Sequence, residues 1–165
     1  MTDAVIESIA RPERKLSGSW LEVIASNLDY HRATFLWKCS GLTEAQLRQR
    51  SVTPSELTLL GLMRHLQGVE QYWIQWKLAG TVIADDGDEE SPAPAEKVYA
   101  NYLAACEKSR EVFAKATEDL SRTVPNPEFG DTDVRFVLAH LIEEYARHAG
   151  HADLLREAID GATGE

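Results

Sequence analysis

Apolar residues return at spacings of three and four along most of this chain, and four segments hold that rhythm long enough to predict helices. The first runs from about Ser19 to Cys39, with Trp20, Val23, Ile24, Asn27, Tyr30, His31 and Phe35 on one stripe and Gly41 as its stop. In the following GLTEAQLRQR, Thr43 and Gln46 make a T-x-x-Q capping box for a short helix. The second long helix starts at Ser55 or Thr58, runs to Leu78 and stops at Gly80. Leu59, Leu62, Met63, Leu66, Val69, Trp73 and Trp76 form its apolar face. The third covers Ala95 to Leu120 and buries Val98, Tyr102, Leu103, Cys106, Val112, Phe113 and Leu120. PNPEFGD makes a tight connection to the fourth, which runs from about Asp133 to Ile159, capped by Thr132 or Asp131 and stopped by Gly161. No segment alternates apolar and polar residues between turn signals, so no sheet is predicted. The expectation is an all-α four-helix bundle, one domain over residues 1–165.

The rhythm breaks at TVIADDGDEESPAPA, Thr81 to Ala95, which is acidic and rich in Gly and Pro. It reads as an exposed loop, with DDGDEE a solvated run. A loop this long in a small domain is mobile or functional.

Composition narrows the function classes. A 165-residue chain that is 44% hydrophobic can bury a core without disulfides. Lys and Arg total 17 against 27 Asp and Glu, a formal net charge of −10. Such a chain repels phosphate backbones and anionic lipid, so neither nucleic acid nor membrane is an expected partner. The one basic cluster, Arg11, Arg14 and Lys15, is short and has acidic neighbours. Cys39 and Cys106 lack metal-ligand spacing and read as small core or near-surface residues. Lone thiols, an N-terminus without an apolar signal run and no segment of membrane-spanning length predict a cytoplasmic protein.

The fourth helix carries the chemistry. In HLIEEYARHAGHADLLRE, His140, Glu144 and His148 are spaced four and four, and each step advances only ~40° around a helix. His151, eleven residues beyond His140, returns to within ~20° of it. All four share one stripe. Imidazole and carboxylate at i, i+4 can turn to one point above the helix and chelate a divalent cation. A bundle site needs a further ligand from a facing helix, and His65, among Leu62, Leu66, Val69 and Trp76, is the candidate, pointing at or near the core.

Each of these residues also has a plainer reading. A single histidine on a mixed face is more often a hydrogen-bonded boundary residue. Glu-x-x-x-His also steadies an exposed helix by side-chain pairing. His31 has the weakest claim, as a pocket wall or surface residue. Glu143 and Glu144 are adjacent, face different directions and do not form an acid/base dyad. Trp20, Trp37, Trp73 and Trp76 read as core and groove lining. Phosphate loop, nucleophile elbow and Cys-x-x-Cys motifs are absent.

SELTLLGLMRHLQGVEQYW, DVRFVLAHLIEEYARHAGHADLLREAIDGATG and GLTEAQLRQR resemble the DinB-like superfamily, in its DUF664 branch, and the resemblance spans Trp20 to Gly164. It implies an up-down-down-up bundle that often dimerises, with the long loop after the second helix as a crossover. It also implies a divalent metal, zinc first and nickel second, held by one side chain of the second long helix and an i, i+4 pair of the fourth. Those positions fall on His65, Glu144 and His148. This His-Glu-His set resembles that of mycothiol-dependent maleylpyruvate isomerase, whereas many relatives carry three histidines. Related S-transferases use low-molecular-weight thiols such as mycothiol.

The resulting expectation is a metal-dependent thiol S-transferase or isomerase, taking a small-molecule thiol and an electrophile, in a homodimer. A metal-bound thiolate would attack the electrophile in the groove. His140 and His151 are candidates to orient a ligand or assist proton transfer. Arg32 or Arg147 could hold a substrate carboxylate. The competing expectations are a metal- or small-molecule-binding bundle without catalysis, and a structural dimer whose histidines are satisfied core residues.

Overall fold

The computed structural model of the protein describes residues 4–81, 93–115, 119–126 and 130–164. Most of the 81–95 loop, including DDGDEE, and part of the PNPEFGD connection lie outside the described residues.

Among the described residues five α-helices carry the fold: α1 (Trp20–Cys39), α2 (Glu44–Leu47), α3 (Leu59–Glu70), α4 (Ala95–Lys115) and α5 (Val134–Asp160). Local chemistry sets their ends. Ser19 caps α1 in a reciprocal box with Glu22, and Thr43 caps α2 in the box with Gln46. The Thr58 hydroxyl accepts from Gly61 N–H to open α3. Asp133, rather than Thr132 or Asp131, caps α5, accepting from Phe136 N–H at 2.9 Å. Gly161 ends α5 with φ 76°, a left-handed turn that a Cβ would oppose.

Three expectations are corrected. α4 is described as far as Lys115, and Leu120, expected within it, lies in a turn outside the helix. A small antiparallel ladder pairs β1 (Thr123–Val124) with β2 (Thr132–Asp133), where no sheet was expected. Two residues per strand are too few to show an alternating pattern in sequence. The third correction concerns the second long helix, which continues beyond Glu70 as a π-helical stretch, Gln71–Leu78. There Ala79 N–H donates to Ile74 C=O at 3.2 Å, an i→i−5 bond. The wider turn shifts the phase of the buried face. After Trp73 it is Ile74 and Leu78 that enter the core, while Trp76, expected on the apolar face, is 45% exposed.

The four long segments enclose one core. Phe35, Leu28, Met63, Leu66, Tyr102 and Tyr145 are among its fully buried members. α5 packs against both α1 and α3, and α3 packs against α4. The contacts fix the directions. Arg156, near the end of α5, donates to the carbonyls of Lys38 and Ser40 at the end of α1, so these two helices run parallel. On α3 and its extension, His65 meets Glu144 while Trp73 meets Phe136, so α3 runs against α5. Arg110 near the end of α4 reaches Asp29 in the first half of α1, whereas Tyr102 packs on Phe35 further along, so α4 runs against α1. Among the described residues no helix is long and apolar enough to cross a membrane.

The α1 face also departs from expectation. Its core positions are Leu28, Arg32, Phe35, Leu36 and Cys39, while Trp20 at the helix start is exposed. Arg32 is buried in the middle of this stripe. It cannot hold a substrate carboxylate, because all three of its guanidinium nitrogens are engaged within the protein. Nε and Nη2 bind the two carboxylate oxygens of Glu70 at 2.8 and 2.7 Å, and Nη1 binds Asp29 at 2.9 Å. Glu70 also accepts from Tyr145 Oη at 2.8 Å, and the Tyr145 hydroxyl lies 3.0 Å from that of Tyr102. This polar cluster sits in the centre of the bundle.

Candidate metal centre

α3 buries Leu62, Met63 and Leu66, which places His65 on the flank facing α5. α5 buries Leu141, Tyr145, Ala152 and Leu155, which turns Glu144 and His148 toward the same seam. The helix periodicity that builds the core therefore delivers one ligand from α3 and an i, i+4 pair from α5 to a common point.

His65 Nε2 lies 3.0 Å from Glu144 Oε2, and His148 Nε2 lies 3.4 Å from the same oxygen. The two imidazole rings meet edge to face at 4.5 Å. One donor atom from each of the three residues fits within a 4.8 Å span. Ligand atoms about 2.0–2.1 Å from a tetrahedral cation stand roughly 3.3 Å apart, so the trio closes around a divalent ion with only small movement. Two imidazoles and one carboxylate also suit zinc and other first-row divalent metals. The residues present therefore fit such an ion.

Exposure divides the roles. The Glu144 side chain is 10% exposed and lies at the base of the seam. His65 is 48% exposed and stands at its mouth, further from the core than its apolar neighbours suggested. Burial raises the Glu144 pKa, but the hydrogen bond from His65 and the charges of His148, Arg147 and His65 outweigh it and hold the carboxyl below its usual range. His148 is held below the usual imidazole value, first by burial and then by His65, with Glu144 opposing. Both shifts favour the forms that bind metal: an ionised carboxylate and a neutral imidazole.

The flanking histidines do not join the trio but touch it. His151 Nδ1 is 3.2 Å from His148 Nδ1, so a proton on one of these nitrogens fixes the direction in which His148 presents Nε2. His140 Nε2 is 4.0 Å from Glu144 Oε1, and its ring is stacked on Phe136 and set edge-on to Trp73. Arg147 donates to Glu144 Oε1 at 3.1 Å and to Glu143 at 2.6 Å. His31 sits on α1 beside Tyr30, where burial and the charge of Arg14 lower its pKa. Cys39 and Cys106 are buried, and burial pushes their thiols up to about 12 and about 11, which leaves neither as a ready nucleophile.

Sequence reading missed the Arg32–Glu70–Tyr145 cluster. Its signal was present: an arginine within the apolar stripe of one helix and a glutamate on the apolar face of another. Also missed was a groove of about 290 Å³ beginning at His65, lined by Arg64, Gly68, Val69, Tyr72 and Trp73.

No curated protein matches the chain. The family model described as Mycothiol-S-transferase matches residues 23–161, a span that takes in most of α1, the whole of α3 to α5 and all three residues of the trio. The chain belongs to the mycothiol S-transferase family, a DinB-like family.

Proposed function

We propose that the protein is a divalent-metal-dependent S-transferase that joins a low-molecular-weight thiol of the mycothiol type to an electrophilic small molecule, with the metal held by His65, Glu144 and His148. The observation that carries this reading is the convergence of the three side chains on one partly exposed point, in a chain of this family. A divalent cation in that position, zinc before nickel, would lower the pKa of a thiol bound beside it and supply thiolate at neutral pH.

The chain's own groups then have defined tasks. His65, Glu144 and His148 would hold the cation, and the exposed edge of His65 would leave the site accessible to a thiol. Arg147 holds Glu144 Oε1 and, with His65 and His148, favours its ionised form. His151, 3.2 Å from His148, sets its ring orientation and is the group we assign to accept the proton that the thiol loses. His140, fixed between Phe136 and Trp73, backs Glu144 from the other side. The sulfur forms a bond to the electrophilic carbon. The displaced electron pair leaves with the departing group, or settles on the electrophile and takes up the proton.

The alternative, a binding bundle without catalysis, draws support from the burial of both cysteines, which leaves the chain no accessible sulfur nucleophile. A single experiment separates the two. Protein loaded with zinc, and the same protein stripped by chelator, are assayed with mycothiol and with bacillithiol against monobromobimane. The S-transferase reading expects zinc-dependent turnover above the uncatalysed rate, lost in His148→Ala. Stoichiometric zinc without turnover by either thiol favours the binding protein, and no zinc uptake ends the transferase reading and leaves the binding one only for a small molecule held without metal.

A further inference from the structure

The groove beside the trio carries information about the electrophile. It exists because of Gly68, where an added Cβ would meet nothing within 4 Å. One turn to either side along the helix, the walls rise as Arg64 and His65 and as Tyr72 and Trp73, with Val69 forming the floor. Val69 and Trp73 are largely buried, so the floor and far wall are fixed by the core. The aromatic wall is braced further. Tyr72 meets Trp73 and Trp76 edge to face, each at 5.1 Å, and Trp73 packs on Phe136 and His140 behind it. The near wall carries charge. Arg64 is exposed and makes no hydrogen bond or ion pair with any other described residue, unlike Arg147, which is committed to Glu143 and Glu144.

From this geometry we infer that the groove is the electrophile subsite, built for a flat aromatic carboxylate, its ring between Gly68 and the Tyr72–Trp73 wall and its anion on Arg64. The inference rests on the S-transferase reading for its functional meaning but not for its structural basis. A ring lying over Gly68 touches only Cα where any side chain would obstruct it, and the Tyr72 and Trp73 rings offer edge or face contact. The guanidinium, planar and unpaired, matches a carboxylate fork to fork. His65 belongs to both the trio and the groove, so the subsite adjoins the metal position. In a chain of net charge −10, a free arginine is also the local feature that admits an anion to this surface.

The test uses trans-cinnamate and its neutral amide as probes, followed by the Gly68 amide and Trp73 indole resonances of isotope-labelled protein. Both the zinc-loaded and metal-free full chain are titrated. Cinnamate is expected to shift both signals and to bind about fivefold more tightly than the amide, the worth of one exposed charge contact. Arg64→Gln removes that preference. Gly68→Leu fills the groove and weakens both probes about tenfold or more. This variant is expected to fold, since leucine is the better helix former and meets open space. Arg50→Gln, an exposed arginine paired with Glu56 away from the groove, serves as the control that changes nothing.

Equal affinity for the two probes in the wild type, or undiminished binding by Gly68→Leu, overturns the inference. Failure of the S-transferase reading shows separately, as absence of zinc uptake or turnover. Cinnamate bound by a protein that takes no zinc keeps the groove and removes the transferase. Zinc taken up with no response to either probe does the reverse.

Discussion

Two carboxylates on adjacent elements meet opposite fates in this bundle. Glu70, on α3, is fully buried and receives three strong hydrogen bonds, two from the permanently charged Arg32 and one from Tyr145. Glu144, on α5, sits at a seam that opens to solvent, and its main partners are two imidazoles and an arginine that is itself half exposed. The neighbours Glu144 and Tyr145 project to different sides of one helix, so a single turn of α5 serves both places. Saturation is what separates them. Every strong acceptor position of Glu70 is taken by a donor that cannot leave without stranding a buried charge. Both partners of Glu144 Oε2 are imidazoles, which can give up a proton and turn the same nitrogen lone pair to a cation. A closed ion pair holds the fold together, whereas an open cluster of similar composition is available for a ligand.

Breaking the closed side should produce the largest effect. Glu70→Ala strands the Arg32 guanidinium in the core and is expected to cost about 3–5 kcal/mol in chemical denaturation. Glu144→Ala, measured without metal, should cost about 1 kcal/mol or less, since its partners remain partly hydrated. Pairing Arg32→Met with Glu70→Leu should recover most of the loss, because two charges are then removed together. Equal costs for the two single alanine variants would show that the closed and open sites do not differ as described.

The next effect belongs to the open side. With free zinc at about a hundred times its dissociation constant, the wild type should gain about 2.7 kcal/mol, and the gain should vanish in His148→Ala. Glu70→Gln, if it remains folded, should keep a zinc-dependent gain on its lower baseline. A zinc-induced shift that survives in His148→Ala would remove that residue from the site.

How far this contrast could be read from sequence differed between its halves. The trio was legible because helix periodicity alone puts Glu144 and His148 on one stripe, and the family resemblance named His65 as the third. The four long helices were legible for the same reason, although Asp133, the cap of α5, was read as its first residue. The buried pair was not read, because a charged residue interrupts an apolar stripe and is taken for its edge, although Arg32 and Glu70 lie 38 positions apart and meet in the core. The π-helical turn was also invisible. Nothing in QYWIQWKL distinguishes a turn closed at five residues from one closed at four, and this placed Trp76 on the wrong face. The Gly68 groove escaped notice because a glycine inside a helix signals only lower propensity until the surrounding walls are known.

The smallest expected effect tests whether the two regions share one support. Asp133 caps the helix that carries both Glu144 and Tyr145, and its loss by Asp133→Ala leaves the Phe136 N–H without its side-chain acceptor. The substitution should lower stability by about 1 kcal/mol, a typical cap contribution. It lies about two turns before His140 and three before Glu144, so the seam geometry should be intact once the protein is folded. Zinc affinity measured well below the unfolding transition should therefore match the wild type, as should any thiol turnover. A weakened zinc affinity in this variant would mean that fraying at the start of α5 reaches the metal centre. The open site would then depend on the end of its helix rather than on the core contacts of Leu141 and Tyr145 that flank Glu144.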